Sequence, residues 1–127
     1  MMKYVTAGIV ISTLALGTVS MLAAAMEPAN MGETSKGKAW VDAKGMTLYT
    51  FDKDVAGKSN CNGDCATEWP PLPVAADGKA AGDWTIVVRD DGSKQWALKG
   101  KPLYLWIKDT KPGDATGDGL DDFHIAK

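Results

Sequence analysis

Apolar residues occur along most of the chain in short runs, separated by segments rich in glycine, aspartate and lysine. The runs contain many β-branched and aromatic residues, which favour strands, and they span 38–43, 46–51, 84–89, 94–99, 103–107 and 123–125. Outside the N-terminal segment, no window of helical length has the 3.6-residue period of an amphipathic helix. The pattern therefore predicts an all-β domain, either a small sandwich or an open barrel.

The run at 46–51 has apolar or aromatic side chains on both of its faces. Leu48 and Thr50 share one face, whereas Tyr49 and Phe51 share the other, because successive side chains of a strand alternate. A strand of this kind is expected to be covered on both sides.

A proline-rich stretch, Trp69-Pro70-Pro71-Leu72-Pro73, follows a predicted loop at 52–67. Proline removes backbone donors and fixes φ, so this stretch is predicted to be extended, at an edge or a corner. Trp69 beside two prolines is predicted to stay partly exposed and to face a ligand. Further loops are predicted at 77–82 and 111–122.

The N-terminal segment has the pattern of a secretory signal peptide. Lys3 precedes a long uncharged apolar run, and Ala23-Ala24-Ala25 supplies the small residues that signal peptidase prefers. We predict a signal peptide at 1–25, a flexible leader at 26–37 and one domain at 38–127. The alternatives are an uncleaved membrane anchor and an ordered edge segment in place of the leader.

The formal net charge is −2, with both signs mixed along the chain. This composition gives no basic footprint for nucleic acid, and after signal cleavage no membrane span remains. We expect a periplasmic or secreted protein whose partner is an envelope component or a small ligand.

The two halves of the domain repeat one another, the first at about 38–72 and the second at about 84–126. Each copy has a tryptophan-bearing strand, a glycine turn and a Leu-Tyr-x-aromatic strand that leads into an acidic loop. The matched positions are Gly45 and Gly100, Leu48 and Leu103, Tyr49 and Tyr104, Phe51 and Trp106, and Asp54 and Asp109, and Trp40 matches Trp96 after a one-residue shift. The repeat predicts two related hairpins that pack together.

These residues, with Cys61-Asn62-Gly63-Asp64-Cys65-Ala66 and Trp69-Pro70-Pro71 between the copies, resemble a family of bacterial secreted repeats of unknown function. Its members are described as predicted lipoproteins with a Tyr-x-aromatic-x-x-Asp motif. The resemblance covers about 38–125 and implies an exported protein, and a link of some relatives to alkane use implies binding of a small hydrophobic molecule as a weaker alternative. The chain differs from lipoproteins because no cysteine lies near the cleavage site.

Cys61 and Cys65 are the only cysteines. Export favours a structural disulfide that closes a short loop. The alternatives are a redox dithiol, although the spacing is not Cys-x-x-Cys, and a metal or haem site that also uses His124, the only histidine. By default we expect His124 to be a half-buried strand-end residue, and it is also a candidate to face a ligand.

Two sets of carboxylates are candidates for chemistry. Oxygen-rich loops suit calcium, and the weak candidates for a metal are Asp114, Asp118, Asp121 and Asp122, although their spacing is not that of an EF-hand. Asp54 and Asp109 follow equivalent strands, where they either form an acid–base pair or each cap a turn by accepting backbone amides.

The motif aromatics, Tyr49, Phe51, Tyr104 and Trp106, are expected to form the core rather than an exposed platform. We therefore expect a non-enzymatic binding or structural module of the cell envelope without a cofactor. The alternative is a redox, metal- or haem-handling accessory protein of the periplasm, and a carboxylate enzyme is the third hypothesis.

Overall fold

The structure is a computed structural model that describes residues 27–127. The predicted signal peptide at 1–25, and the alternative of a membrane anchor there, lie outside the described residues. Within residues 27–127, no helix combines the length and the apolar character that a membrane crossing requires.

The described chain forms strands, as the sequence pattern predicts, and one short helix, which the pattern does not predict. The elements are β1 (Asn30–Thr34), β2 (Gly37–Val41), β3 (Tyr49–Phe51), α1 (Asp64–Glu68), β4 (Trp84–Val88), β5 (Lys94–Leu98), β6 (Lys101–Pro102) and β7 (Phe123–Ile125). They form three small antiparallel sheets, β1–β2, β3–β7 and β4–β5–β6. The all-β prediction is confirmed, and within 27–127 the sheets do not close into a barrel.

The tryptophan-bearing strands of the two halves have the same hydrogen-bond pattern, which includes one bond to the other half. In the first half, Leu48 N–H donates to Trp40 O at 3.0 Å, and Trp40 N–H donates to Ala126 O at 2.8 Å. In the second half, Leu103 N–H donates to Trp96 O at 3.0 Å, and Trp96 N–H donates to Leu72 O at 2.9 Å. The Trp69–Pro73 stretch is therefore the counterpart of the segment that contains β7, although it makes only isolated bridges, at Pro71 and Pro73.

The repeats pair with each other instead of folding as two separate hairpins. Tyr49 and Tyr104 form a two-way backbone bridge, with N–H to O distances of 2.8 and 2.9 Å. β3 of the first repeat pairs with β7 of the second, and Leu105 N–H of the second donates to Pro70 O of the first at 2.7 Å. The central strands of each repeat thus bond to strands of the other.

The alternation along these strands divides the core into two layers. Leu48 and Leu103 belong to one buried cluster, which also contains Trp84 and Trp96. Tyr49 and its counterpart Tyr104 belong to the other cluster. The prediction that the strand at 46–51 is covered on both sides is confirmed, because neither Leu48 nor Tyr49 is exposed to solvent.

Three segments differ from the sequence-based predictions. The segment predicted to be a flexible leader contains β1, which pairs along its length with β2, because Gly37 (φ 95°) permits a tight turn between them. The loop predicted at 52–67 contains most of α1. The run at 103–107 is not a continuous strand, because beyond β6 it makes only isolated bridges at Tyr104.

Candidate functional site

The most specific residues of the repeat form two crossed hydrogen bonds inside the domain. The Tyr49 hydroxyl donates to Asp109 Oδ2 at 2.7 Å, and the Tyr104 hydroxyl donates to Asp54 Oδ2 at 2.6 Å. Each tyrosine therefore bonds to the aspartate of the other repeat. The crossing follows from the Tyr49–Tyr104 bridge, which places each phenol over the opposite acidic loop.

The second oxygen of each aspartate holds its own loop. Asp54 Oδ1 accepts the Asn60 N–H at 2.6 Å. Asp109 Oδ1 accepts the N–H and the hydroxyl of Thr116 at 3.0 and 2.6 Å. The turn-capping interpretation accounts for these bonds, and the bond across the repeats adds to it. Each carboxylate thus has a structural partner on both oxygens.

Burial disfavours the charged forms of this network. Burial first, and then the Asp109 carboxylate, raise the pKa of Tyr49 far above its usual value of 10.0. The pKa of Tyr104 is raised in the same way by burial and by Asp54. Burial also raises the pKa of Asp54 above 3.8, although the bonds from Asn60 and Tyr104 oppose that shift.

Tyr49 and Tyr104 are therefore expected to remain un-ionised above pH 10 as long as the protein is folded. Because the folded pKa of each phenol exceeds the unfolded value, their contribution to stability is complete below pH 10 and is lost as the pH rises further. The measurement is phenolate absorbance on a chain that begins at Glu27, with circular dichroism followed in parallel. A control titration in guanidinium chloride should show ionisation near pH 10, and the same midpoint in the folded protein would contradict the buried network.

A buried arginine extends the Tyr104–Asp54 pair. The Arg89 guanidinium donates to Ser59 Oγ at 2.9 Å, to Gln95 Oε1 at 2.7 Å and to the Cys61 carbonyl oxygen. Ser59 Oγ lies 2.6 Å from the Tyr104 hydroxyl. The side chain is only 5% exposed, so these neutral acceptors replace water around a charge whose burial would otherwise be costly.

Four stacked rings run through the middle of the domain. Trp69 stacks on Phe123 with centroids 3.8 Å apart, Phe123 stacks on Phe51 at 4.3 Å, and Trp69 stacks on Trp106 at 4.1 Å. The prediction that Trp69 is partly exposed is wrong, since it is 1% exposed. The neighbouring prolines fix an extended backbone, but the pairing with the other repeat turns the indole inward.

The two cysteines and the histidine have different contact partners. Cys61 and Cys65 form a disulfide with an S–S distance of 2.03 Å, as the export argument predicts. His124 is half exposed, and its Nε2 lies 2.8 Å from Asp52 Oδ2. The three residues of the hypothetical redox or metal site are therefore not joined by a shared contact.

The four aspartates that are the candidate calcium ligands each have different contacts. Asp114 accepts the Thr110 N–H at 3.2 Å, and Asp118 accepts the Ile125 N–H at 3.1 Å. Asp122 lies 3.7 Å from the Lys53 ammonium, and Asp121 has a positive φ in a turn. In the part of the chain that the structure describes, no three or more His, Cys, Asp or Glu side chains are grouped to hold a metal.

Sequence reasoning missed the roles of Arg89, Gln95 and Phe123. Phe123 could have been found, because it follows Tyr104 at almost the same distance as Trp69 follows Tyr49. Arg89 and Gln95 have no counterpart in the repeat motif, and only the β4–β5 hairpin brings them together. No signal in the sequence pointed to that contact.

Comparison with known proteins gives one family. A family profile described as a secreted repeat of unknown function matches residues 31–73 and 85–125, which together are more than half of the chain. Searches of curated proteins and of solved structures each found no match. The two matched segments correspond to the two halves that cross at Tyr49 and Tyr104. The chain therefore belongs to the family of secreted repeats of unknown function.

Proposed function

We propose that the protein is an exported, non-enzymatic binding or structural module of the cell envelope, located in the periplasm or outside the cell. The description of its family as secreted supports export. The observation that supports a non-enzymatic role most directly is the crossed pair of Tyr–Asp bonds. In this proposal, the repeated tyrosine and aspartate of the family motif stabilise the fold and do not carry out chemistry.

The support comes from what each reactive group already contacts. Asp54 and Asp109, the candidates for acid–base chemistry, each accept a loop amide and a phenol from the opposite repeat. Asp109 is also only 8% exposed. A general acid or base needs direct access to the proton it transfers, and such access is poor for a buried carboxylate with both oxygens bonded.

The disulfide separates this proposal from a redox or metal-handling role. A structural bridge over so short a loop contributes about 2 kcal/mol by loop-closure entropy. We expect the Cys61→Ser, Cys65→Ser double variant to fold with a free energy of unfolding lower by about that amount. A redox role predicts instead that the exported protein contains free thiols, at least in part.

The test is the native mass of protein purified from the exported fraction, followed by its denatured, non-reduced mass. Under this proposal, the native mass contains no metal or haem. The denatured, non-reduced mass is lower than that of the dithiol form by the two hydrogens that one disulfide removes. Native mass spectra of the double serine variant serve as the control, because they should show the same bound species as the wild type. A bound metal, a bound haem or two free thiols would overturn the proposal in favour of the redox or metal-handling role.

A further inference from the structure

A cleft of about 320 Å³ lies where β3, β7 and the turn between β5 and β6 meet. Its apolar lining comes from Trp40, Leu98, Leu103, Ile125 and Ala126, and its polar lining from Thr50, Lys99, Lys101 and Lys127. We call it the lysine cleft. No carboxylate side chain is among its lining residues, although the chain as a whole has a formal net charge of −2. The cleft thus combines an apolar wall with three lysine side chains.

The lysines of the cleft are available to a ligand. Within residues 27–127, the four ion pairs involve Lys36, Lys53, Lys58 and His124, and none involves a lysine of the cleft. Thr50, Lys99 and Lys101 also line an adjoining cleft of about 310 Å³ that continues towards Phe51 and Asp54. That adjoining cleft is also lined by Asp52 and Asp54, so the apolar wall available to a ligand at the two lysines is the one formed by Trp40, Leu98 and Ile125.

The other repeat provides an internal comparison. The pairs of equivalent hydrogen bonds place Trp96 at the position of Trp40 and Leu72 at that of Ala126. Continuing this correspondence along the chain, Lys101, Lys127 and Thr50 of the cleft have the apolar counterparts Met46, Pro73 and Leu105. The fold accepts apolar residues at these positions, so packing does not require two of the lysines or the threonine.

The backbone conformation at Lys99 indicates that the fold does not favour a lysine at this position either. Lys99 has φ 52° and Gly100 has φ 83°, as expected for a two-residue hairpin turn with both residues in the left-handed region. Asparagine or glycine is the usual first residue of such a turn, and a lysine there costs about 1 kcal/mol or more. Strained residues of this kind concentrate at ligand sites.

We propose that the lysine cleft binds a small organic carboxylate with an apolar body, whose headgroup lies between Lys99 and Lys101 and whose body contacts Trp40, Leu98 and Ile125. A cleft of this size, in which an apolar wall meets a few charged side chains, is typical of small-ligand sites. The ammonium groups determine the sign of the ligand's charge, and the apolar wall excludes small hydrated anions. This inference rests on the binding role proposed above and names its ligand class.

The test is a titration of the full mature chain with octanoate and with 2-naphthoate, followed by NMR shifts of backbone amides and of the Trp40 indole N–H. Octylammonium has the same chain as octanoate and the opposite charge, and acetate has the charge without the body. Octanoate and 2-naphthoate are both expected to shift the NMR signals of Trp40, Lys99 and Lys101. The one that binds more tightly shows whether the cleft prefers a ligand with an aliphatic or an aromatic body. Octylammonium and acetate are expected to bind at least 10-fold more weakly, because each lacks one of the two contacts.

The test variant combines Lys99→Gln with Lys101→Met, because methionine is the counterpart of Lys101 in the other repeat. The control variant is Lys94→Gln in β5, which lies outside the cleft. The double variant should weaken carboxylate binding about 3- to 10-fold, and Lys94→Gln should leave it unchanged. With the wild type, added salt should weaken binding. Equal binding of octanoate and octylammonium, equal loss in both variants, or no shift with either carboxylate would overturn the inference. A bound metal or haem in the native mass would instead refute the proposed function and leave the cleft result standing.

Discussion

Replacing Trp69 with alanine is expected to lower the free energy of unfolding by about 3–5 kcal/mol, the usual range for truncating a fully buried tryptophan. Trp69 lies between Phe123 and Trp106 in the ring stack and meets Tyr49 edge to face, with centroids 5.3 Å apart. Its removal leaves a cavity at the junction of the two repeats. A domain of this size has a total stability of about 5–15 kcal/mol, so the loss is a large part of the whole.

Two further variants make the Trp69 result specific. Trp69→Phe keeps a ring in the stack, and the indole Nε1–H that it removes is buried without a hydrogen-bond partner. We expect it to cost less than half as much as alanine. Ile107→Ala, at a side chain that is 55% exposed, should change stability by less than about 0.5 kcal/mol. The measurement is equilibrium denaturant unfolding, and a Trp69→Ala midpoint equal to that of Ile107→Ala would contradict the structure.

Much of the fold was accessible from local patterns. The strands β4 and β5 were predicted as the runs at 84–89 and 94–99, because β-branched and aromatic residues favour strands, and Gly92 (φ 87°) lies in the turn between them. Burial of both faces of the strand at 46–51 was predicted because Leu48 and Tyr49 are adjacent and must point to opposite faces. Both inferences depend on interactions between residues close in the chain, where the sequence determines geometry directly.

The crossing of the repeats was not accessible in the same way. The alignment of Tyr49 with Tyr104 and of Asp54 with Asp109 shows which residues are equivalent, but equivalence does not say whether each tyrosine bonds to its own aspartate or to the other. The choice depends on how the two hairpins dock, which is a long-range property. The burial of Trp69 was missed for the same reason, because it depends on pairing with a distant segment.

The candidate site shows the same division between local and long-range information. The disulfide was predicted from the compartment, and capping of a turn was one of the two roles predicted for Asp54 and Asp109 from their position after strands. The lysine cleft joins Trp40, the turn at Lys99 and the end of β7, which are far apart in the sequence. In the sequence its lysines do not differ from other surface lysines, and only the fold places them beside the same apolar side chains.

Splitting the chain between the repeats is expected to abolish folding of each half alone. A cut between Lys79 and Ala80 falls in an exposed loop, so it removes no buried contact by itself. Residues 27–79 then lack β7, the partner of β3, and also lack the Asp109 acceptor of the Tyr49 phenol. Residues 80–127 lack the Asp54 acceptor of the Tyr104 phenol. A buried phenol without an acceptor costs about 1–3 kcal/mol, and the loss of half of the ring stack is added to this.

An equimolar mixture of the two halves is the matched control, because it restores every contact and changes only the connection between them. We expect near-ultraviolet circular dichroism to be absent from each half and to return in the mixture, with a concentration dependence that reflects association. The two halves are related, so either can also pair with a second copy of itself, and sedimentation must accompany the spectra. Such a homodimer still satisfies the crossed arrangement, since each phenol finds an aspartate on the other chain. A folded monomer of either half would contradict it, because that half would then bury its tyrosine without the opposite repeat.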